Sequence, residues 1–227
     1  YINKLIPVND KMIEENYVSD LKKTIQFCNK NKVNFIICDC KNPDFRILSK
    51  VNVHIFLFLD HNHKAYYKNI TFINVNPSAK NNQNFISGPR YMPILSRGIR
   101  QKENKFINQK PYNCLISFGS VDKNNVTNKV INQITKDIRM KKLLKPFCLV
   151  GKNFKYEEEL NISLKSFNSY QIIRDVNSIL DLKIHFQLAL GSPGVSHSER
   201  LFLGIPTILF SQNYIHDEIC EAWSKID

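Results

Sequence analysis

The stretch from residue 190 to residue 206 constrains the fold more than any other part of the sequence. It reads LGSPGVSHSERLFLGIP and holds three of the seven glycines among 227 residues. An apolar run ending at Leu190 leads into a Gly/Ser/Pro turn, an amphipathic segment ends at Gly204, and a second apolar run covers 207–210. This pattern predicts a strand, a turn, a helix and another strand, which is the repeating unit of a parallel α/β sheet.

Two interpretations of the turn remain open. In a parallel α/β unit the turn lies at the carboxyl end of the strand, where the free N–H groups and the positive dipole end of the helix stabilise a diphosphate. Ser196 and Glu199 also fit the Ser-x-x-Glu capping box, in which two side chains satisfy otherwise unpaired backbone donors at a helix start. The first interpretation predicts a ligand and the second predicts only a helix terminus.

The composition is that of a globular chain with enough apolar residues to bury a sizeable core. Hydrophobic residues make up 43% of the sequence, and apolar runs such as 55–59 are far shorter than the ~20 residues of a membrane-spanning helix. We therefore expect no transmembrane span. Six scattered cysteines do not make a disulfide-rich composition, so we expect reduced thiols in a cytoplasmic protein. Cys38-Asp39-Cys40 lacks the second ligand pair of a zinc site, and we expect neither a metal nor a cofactor.

The net charge of +12 is spread along the chain without a block of five or six like charges. This distribution favours a solvated basic surface over a nucleic-acid footprint, which clusters its basic residues on one face. We therefore predict no nucleic-acid partner. A diffuse positive field still attracts nucleotide phosphates or an anionic membrane surface, so weak peripheral membrane contact stays open.

Apolar runs alternate with amphipathic segments along the chain, which predicts parallel sheets with right-handed crossovers. Between Pro77 and Lys110 the sequence turns polar and its periodicity fades. We therefore predict two domains, residues 1–105 and 106–227. Outside the 190–206 unit, helices are predicted at 11–30, 124–144 and 156–160, and strands at 33–38, 53–59, 70–75, 113–118, 147–150, 170–173, 184–190 and 207–210.

A second strand-to-helix loop lies at residues 117–127. Gly119 allows close backbone approach, while Ser120, Asp122 and Asn124 either cap the coming helix or present hydroxyl and amide groups to a ligand. Ordinary turn chemistry explains the same residues. Because loops at the carboxyl ends of strands in one sheet face the same crevice, this loop and the 190–206 turn are predicted to lie together.

Three segments, in this order along the chain, resemble a known family. They are Ser-Gly-Pro-Arg-Tyr at 87–91, Phe-Gly-Ser-Val-Asp at 118–122 followed by Asn-Val-Thr at 125–127, and Gly-x-x-Gly-Val-Ser-x-x-Glu-Arg-x-x-x-Gly-Ile-Pro at 191–206. Together they resemble the UDP-sugar hydrolases of pseudaminic acid biosynthesis and their spore-coat polysaccharide relatives. The first segment is similar to the Gly-Pro-x-Tyr that lies between the two domains of that family.

The resemblance implies two Rossmann-like α/β domains with parallel sheets, as in the GT-B architecture of glycosyltransferases, with UDP held mainly by the C-terminal domain. It implies a UDP-sugar partner and hydrolysis of a UDP-linked sugar of the 2,4-diacetamido-2,4,6-trideoxy-hexose type, in surface-glycan or nonulosonic acid biosynthesis. The first domain is expected to be incomplete, because the family carries its catalytic histidine in a Gly-x-Gly-His loop after a first strand. Nothing before Tyr17 matches that loop.

The resemblance also assigns roles by position. It implies that Glu199 accepts hydrogen bonds from the ribose and that the turn at 192–196 holds the diphosphate, with residues 119–122 on the opposite wall. An Asn-Gln pair of the family corresponds to 212–213 here, in reversed order. The predicted substrate-binding residues are Tyr91, Gly119, Ser120, Asp122, Ser192, Gly194, Val195, Ser196, Glu199, Gln212 and Asn213.

The catalytic residue is not assigned within the sequence, because the family histidine is expected upstream of Tyr1. Asp39 and Asp60 each end an apolar strand, from which a carboxylate reaches a crevice, and His61 follows at the same edge. These three residues are weak candidates, since strand-end capping and loop polarity explain them as well.

Two further functions stay open. A GT-B-type glycosyltransferase would use the same UDP loops and would also need an acceptor site in the first domain. A non-catalytic nucleotide-sugar-binding module would need the UDP loops alone.

Overall fold

Parallel β-sheets form the centre of each of two compact units, residues 1–91 and 92–227. The computed structural model describes residues 17–39, 45–59, 65–77, 84–94 and 109–225. The predicted boundary near residue 105 lies outside these ranges and stays a prediction. Within the described residues, every helix is too short or too polar to traverse a bilayer.

Aromatic and β-branched runs form the strands of the first unit, as their β-propensity predicts. Its elements are α1 (Tyr17–Lys30), β1 (Phe35–Asp39), α2 (Phe45–Leu48), β2 (His54–Phe58), β3 (Ile70–Asn74), β4 (Phe85–Ser87) and a 3-10 helix (Pro89–Tyr91). The four strands are parallel and follow the order β1-β2-β3-β4. A buried core forms where Leu57 and Phe72 pack with Leu48 of α2.

The second unit alternates strands and helices. Its elements are β5 (Tyr112–Ser117), α3 (Val126–Lys136), α4 (Ile138–Leu143), β6 (Leu144–Val150), α5 (Glu157–Leu164), β7 (Gln171–Arg174), a 3-10 helix (Ile179–Asp181), β8 (Leu188–Gly191), α6 (Val195–Phe202), β9 (Thr207–Leu209) and α7 (Tyr214–Ser224). Alternate residues of β5 enter two different cores: Ile116 packs with α3 and α5, and Leu115 packs with Phe186 and Ile205. Both faces of the sheet are therefore covered, as a parallel sheet requires.

The strand order of the second sheet reverses between β5 and β8. The order is β7-β6-β5-β8-β9, and all neighbours are parallel. From β5 the chain adds β6 and then β7 on one side of the sheet, and it then returns to add β8 and β9 on the other side of β5. Ser117 pairs with Gly191 at the carboxyl ends of these two strands. The loops that follow β5 and β8 consequently leave the sheet side by side.

The predicted α/β fold class with two parallel sheets is confirmed. The unit predicted at 190–206 forms as β8, α6 and β9, although β8 begins at Leu188 rather than at residue 184. Most other strands and helices form within a few residues of their predicted bounds. The part of the first predicted helix at 11–16 lies outside the described residues.

The single helix predicted for 124–144 is wrong, because the chain forms α3 and α4 there. Asp137 separates the two helices with an extended backbone, φ −100° and ψ 110°. Its carboxylate accepts hydrogen bonds from the backbone N–H groups of Arg139 and Met140 at 2.8 and 3.3 Å, which starts α4 anew. The periodic apolar pattern continues through Asp137 and does not reveal the break, because a helix cap requires only one residue.

Gly191 is expected to tolerate no side chain, whereas Gly194, three residues later, is expected to tolerate one. A Cβ at Gly191 would lie 2.6 Å from both Arg200 Nη1 and the Ser117 carbonyl oxygen, and one at Gly194 would meet nothing within 4 Å. Overpacking of this kind costs ~2 kcal/mol or more, so we expect Gly191→Ala to lower the free energy of unfolding by that amount. Gly194→Ala is expected to cost less than ~1 kcal/mol. Urea unfolding of both variants checks this, and equal losses would contradict it.

Candidate functional site

The candidate site lies at the carboxyl edge of the second sheet, where its strand order reverses. In doubly wound α/β folds, ligands bind in the crevice outside the strand ends at such a point. Two loops border it here, residues 118–125 after β5 and residues 192–194 after β8. Of the eleven residues predicted to bind substrate, ten belong to these loops or to the segments that directly follow β8 and β9.

The loop after β5 is shaped by its backbone. Gly119 has φ +92°, a conformation that residues with a Cβ rarely adopt, and both Gly119 and Ser120 are exposed. Gly151, which directly follows β6, packs so closely on Ser120 that an added Cβ would collide with the Ser120 backbone. The Ser120 hydroxyl therefore sits on an exposed loop that is supported from behind.

Asp122 is buried and closes the N-terminus of α3. Its Oδ1 accepts a hydrogen bond from the Val126 N–H at 2.9 Å and its Oδ2 accepts one from the Thr127 N–H at 2.8 Å. The carboxylate thereby satisfies two of the free donors of the helix and neutralises its positive end. An anionic ligand at the start of α3 would meet a negative charge that is already in place.

The N-terminus of α6 is open, in contrast to that of α3. The helix begins at Val195 with Gly194 as its cap residue, and no side chain among the described residues caps it. Its first turn carries no acidic residue, and Val195 is 72% exposed. Two N–H groups here are already used, because that of Gly194 donates to the Ser192 carbonyl oxygen at 3.1 Å and that of His197 donates to the Gly194 carbonyl oxygen at 2.8 Å. The N–H groups of Val195 and Ser196 have no acceptor among the described residues, so they remain available to an anion.

The capping box predicted for Ser196 and Glu199 does not form. Because Gly194 is the cap residue, Ser196 lies inside the first turn rather than before it. The Glu199 carboxylate points to another segment, where Oε1 accepts from the Ser178 hydroxyl at 2.6 Å and Oε2 accepts from the Ile179 N–H at 3.1 Å. Glu199 thus holds the start of the 3-10 helix at 179–181 against α6.

Arg200 places a positive charge behind the turn. Its side chain is 0% exposed, and Nη2 donates a hydrogen bond to the Ser192 carbonyl oxygen at 2.7 Å. Its Nε and Nη1 have no partner among the described residues. Burial lowers the pKa of the guanidinium to about 10, against the opposing charge of Glu199. Even so, Arg200 is cationic at neutral pH.

His197 lies one turn before Arg200 and is 5% exposed. Its ring meets the Trp223 ring edge-on at 4.9 Å between centroids, and neither ring nitrogen has a partner among the described residues. Burial, and secondarily the charge of Arg200, lowers the pKa of His197 to about 4. The imidazole is therefore neutral at pH 7 and contributes no charge to the site.

Gln212 and Asn213 have separate structural roles. Gln212 Nε2 donates a hydrogen bond to the Phe118 carbonyl oxygen at 3.0 Å, which ties the segment after β9 to the loop after β5. Asn213 Oδ1 accepts from the His216 N–H at 3.0 Å and caps α7. Gln212 is thus fixed beside the candidate site, while Asn213 starts the next helix.

No model of a known protein family matches the sequence. The uncharacterized protein MJ1062 of Methanocaldococcus jannaschii is 24% identical over 227 residues, a match that covers 97% of this chain and 43% of that protein. The chain therefore spans less than half the length of this relative.

Two solved structures share the fold over 91% of the chain. The S. aureus MnaA–UDP co-structure has a TM-score of 0.52 at 12% identity, with 64% of that chain covered. The crystal structure of TarM has a TM-score of 0.52 at 11% identity, with 51% of that chain covered. At such identities the likeness concerns the fold alone. It confirms the predicted GT-B-like fold class of two Rossmann-like units with parallel sheets.

The remaining predicted residues belong to the first unit. Asp39 is exposed at the carboxyl end of β1, and Tyr91 is half-buried at the end of the 3-10 helix after β4. Asp60 and His61 lie outside the described residues. Among the described residues, Asp39 has no partner that would activate it, and the roles of all three weak catalytic candidates stay predictions.

Two observations concern possible metal ligands and one buried thiol in the described part of the chain. No group of three His, Cys, Asp or Glu residues there could hold a metal ion, and Cys40 of the Cys38-Asp39-Cys40 pair lies outside it. Burial raises the pKa of the Cys114 thiol to about 12, so this group is not a nucleophile at neutral pH.

Arg200 and Ser178 are the residues that sequence reasoning missed. Arg200 lies in the segment predicted as an amphipathic helix and received no role there, yet it is buried with His197, while Phe202 is 36% exposed. A signal was available in the helical spacing, because positions 197 and 200 lie on one face. Ser178 gave no signal, since its partner Glu199 is 21 residues away in sequence.

We expect the protein to become less stable as the pH is lowered, because His197 must then take up a proton in the folded state. The unfolded chain binds a proton at this residue as the pH falls below about 6.5, whereas the folded protein does so only near its pKa of about 4. The stability present above pH 6.5 is therefore lost between pH 6.5 and 4, by roughly 1–3 kcal/mol. Urea unfolding at pH 7.0, 5.5 and 4.5 measures this loss.

His197→Phe is the matched variant, because it keeps an aromatic ring against Trp223 and cannot be protonated. Carboxylates and His216 titrate in both proteins and cancel in the difference. We expect the variant to lose less stability between pH 6.5 and 4 than the wild type. Identical pH profiles would show that His197 does not carry the effect.

Proposed function

We propose that the chain binds UDP-sugars and hydrolyses a UDP-linked amino sugar of the 2,4-diacetamido-2,4,6-trideoxy-hexose type. One observation carries the proposal. At the reversal of strand order, the helix after β8 has an open N-terminus backed by a buried arginine. The partner that such a site favours is a phosphate-bearing ligand. The resemblance of the 118–127 and 191–206 segments to UDP-sugar hydrolases supports uridine and the sugar class.

The two loops divide the ligand between them. Asp122 closes the start of α3, so the diphosphate belongs to the turn at 192–196, and the exposed Ser120 hydroxyl faces a neutral part of the ligand. Glu199 retains acceptor capacity, because each carboxylate oxygen has taken one hydrogen bond and has room for a second. It is our assigned partner for the ribose. The UDP in the MnaA co-structure, a chain of the same fold, supports this nucleotide.

The chemistry needs stabilisation of the departing diphosphate and a base that activates water. The N–H groups at the start of α6 and the charge of Arg200 supply the first. We assign the second to a histidine in a Gly-x-Gly-His loop, which the 227 residues do not contain. Asp39, Asp60 and His61 are the alternatives within the sequence. We place the reaction in the cytoplasm, without nucleic acid and with at most weak contact to a membrane surface.

A glycosyltransferase that uses a UDP-sugar donor is the second candidate. The likeness to MnaA and TarM, over 91% of this chain, concerns the fold and favours neither reaction. The two functions differ in whether a second substrate accepts the sugar, and a non-catalytic binding module would release no product at all.

Glu199→Gln is expected to weaken UDP binding by at least ~1 kcal/mol, because an amide loses the charge of the hydrogen bond to the ribose. It is also expected to lower stability by ~1 kcal/mol, through the contact with the 179–181 helix. Isothermal titration with UDP and urea unfolding measure the two effects. No UDP binding by the wild type, at millimolar concentrations, would overturn the proposed function.

Ser178→Ala is the matched control for Glu199. It removes the hydroxyl that donates to Oε1 and leaves the carboxylate in place. We expect a similar loss of stability and nearly unchanged UDP affinity. If both variants weaken UDP equally, Glu199 acts by holding the 179–181 helix rather than by contacting ribose.

The protein in its natural full length is expected to release UDP and free sugar in equal amounts from the UDP-linked diacetamido sugar without an acceptor. Product analysis by chromatography measures both. Release that requires an added sugar or lipid acceptor would identify a transferase. Tight binding without any release would identify a binding module.

A further inference from the structure

The guanidinium of Arg200 lies against the inner side of the turn that leads into α6. It donates to the Ser192 carbonyl oxygen at 2.7 Å, and a Cβ on Gly191 would come within 2.6 Å of Nη1 and 3.0 Å of Cζ. The absence of a side chain at Gly191 is what allows this approach. The charge is therefore held directly behind the backbone whose other end, at Gly194 and Val195, is exposed.

The described residues compensate this charge only in part. The charge of Glu199 opposes the effect of burial on the Arg200 pKa without reversing it. The Nε and Nη1 of Arg200 have no hydrogen-bond acceptor among the described residues. The adjacent carboxylate, Glu199, bonds to Ser178 and Ile179, and the neighbouring imidazole of His197 is buried without a partner. A fully buried cation whose charge the described residues compensate only in part is unfavourable for folding, and a further anionic group would relieve this cost.

An anion seated on the open start of α6 would provide that compensation. It would lie across one layer of backbone from the guanidinium, with protein rather than water between the two charges. Attraction through protein is several times stronger than through water, and it is less screened by salt than attraction between surface charges.

We propose that Arg200 is a positioning residue that sets the affinity of this turn for phosphate groups through its buried charge, without touching the ligand. The proposal rests on the proposed function for the location of the diphosphate. It goes further in assigning phosphate selectivity to a side chain that solvent does not reach. Arg200 distinguishes UDP from uridine, and the hydrogen bond to Ser192 keeps the turn in the shape that presents its N–H groups.

The test compares three variants by isothermal titration with UDP, uridine and inorganic pyrophosphate. Arg200→Met removes the charge and keeps an apolar stem, and Arg200→Lys keeps the charge but loses the planar fork. Arg139→Met, at a side chain that is 88% exposed, removes one positive charge from the surface as the matched control. The measured quantity is the ratio of the Kd for uridine to the Kd for UDP, because a fraction of misfolded protein does not change this ratio.

We expect Arg200→Met to lower the ratio at least about tenfold and to weaken pyrophosphate similarly, with uridine affinity within about twofold of the wild type. Arg200→Lys is expected to retain most of the ratio, and Arg139→Met all of it. Raising NaCl from 50 to 300 mM should reduce the contribution of Arg200 only slightly.

An unchanged ratio in Arg200→Met would overturn the proposal and leave Arg200 a structural residue. If Arg200→Met does not fold, Arg200→Lys decides. A ratio of Kd values that falls in Arg200→Lys would overturn the proposal, and a ratio close to that of the wild type would support it. Binding of pyrophosphate but not UDP by the wild type would contradict the proposed function alone, since pyrophosphate still tests Arg200. Failure to bind either would overturn both.

Discussion

The parallel pairing of β5 with β8 is the constraint on which the candidate site depends. Because Ser117 lies opposite Gly191, two loops that are far apart in sequence leave the sheet as neighbours. The same register places Ser117 and Arg200 against Gly191, where only a residue without a side chain fits. One packing arrangement therefore joins the end of β5, the turn after β8 and the buried Arg200.

The charges at the starts of the two helices at this edge differ in sign, and this difference would orient a bound ligand. Asp122 fills the start of α3 with its own carboxylate, while α6 starts at a glycine and has Arg200 behind it. Both helices have a positive dipole end at this edge, but the end of α3 is occupied by a carboxylate and that of α6 is not. A ligand with a charged and a neutral end would meet this edge in a single orientation.

Much of the fold and part of the site could be predicted from local sequence. Glycines and apolar runs specify β8, α6 and β9, because turn conformation and strand burial depend on nearby residues. The contacts of Glu199 and Arg200 could not be predicted this way, since their partners are set by tertiary packing. In α6 the polar face is inside and Phe202 is outside, which reverses the usual meaning of an amphipathic pattern. Helical spacing alone does not tell which stripe faces the protein.

The loops at this edge are fastened to one another from behind. Gly151 supports Ser120 at close range, and Gln212 holds the Phe118 carbonyl, while the Phe118 and Phe210 rings meet edge-on at 5.6 Å. An insertion or deletion in one loop would disturb its neighbours as well. Loop length at this edge is therefore constrained by packing, whereas exposed side chains such as that of Ser120 can change without moving the backbone that carries them.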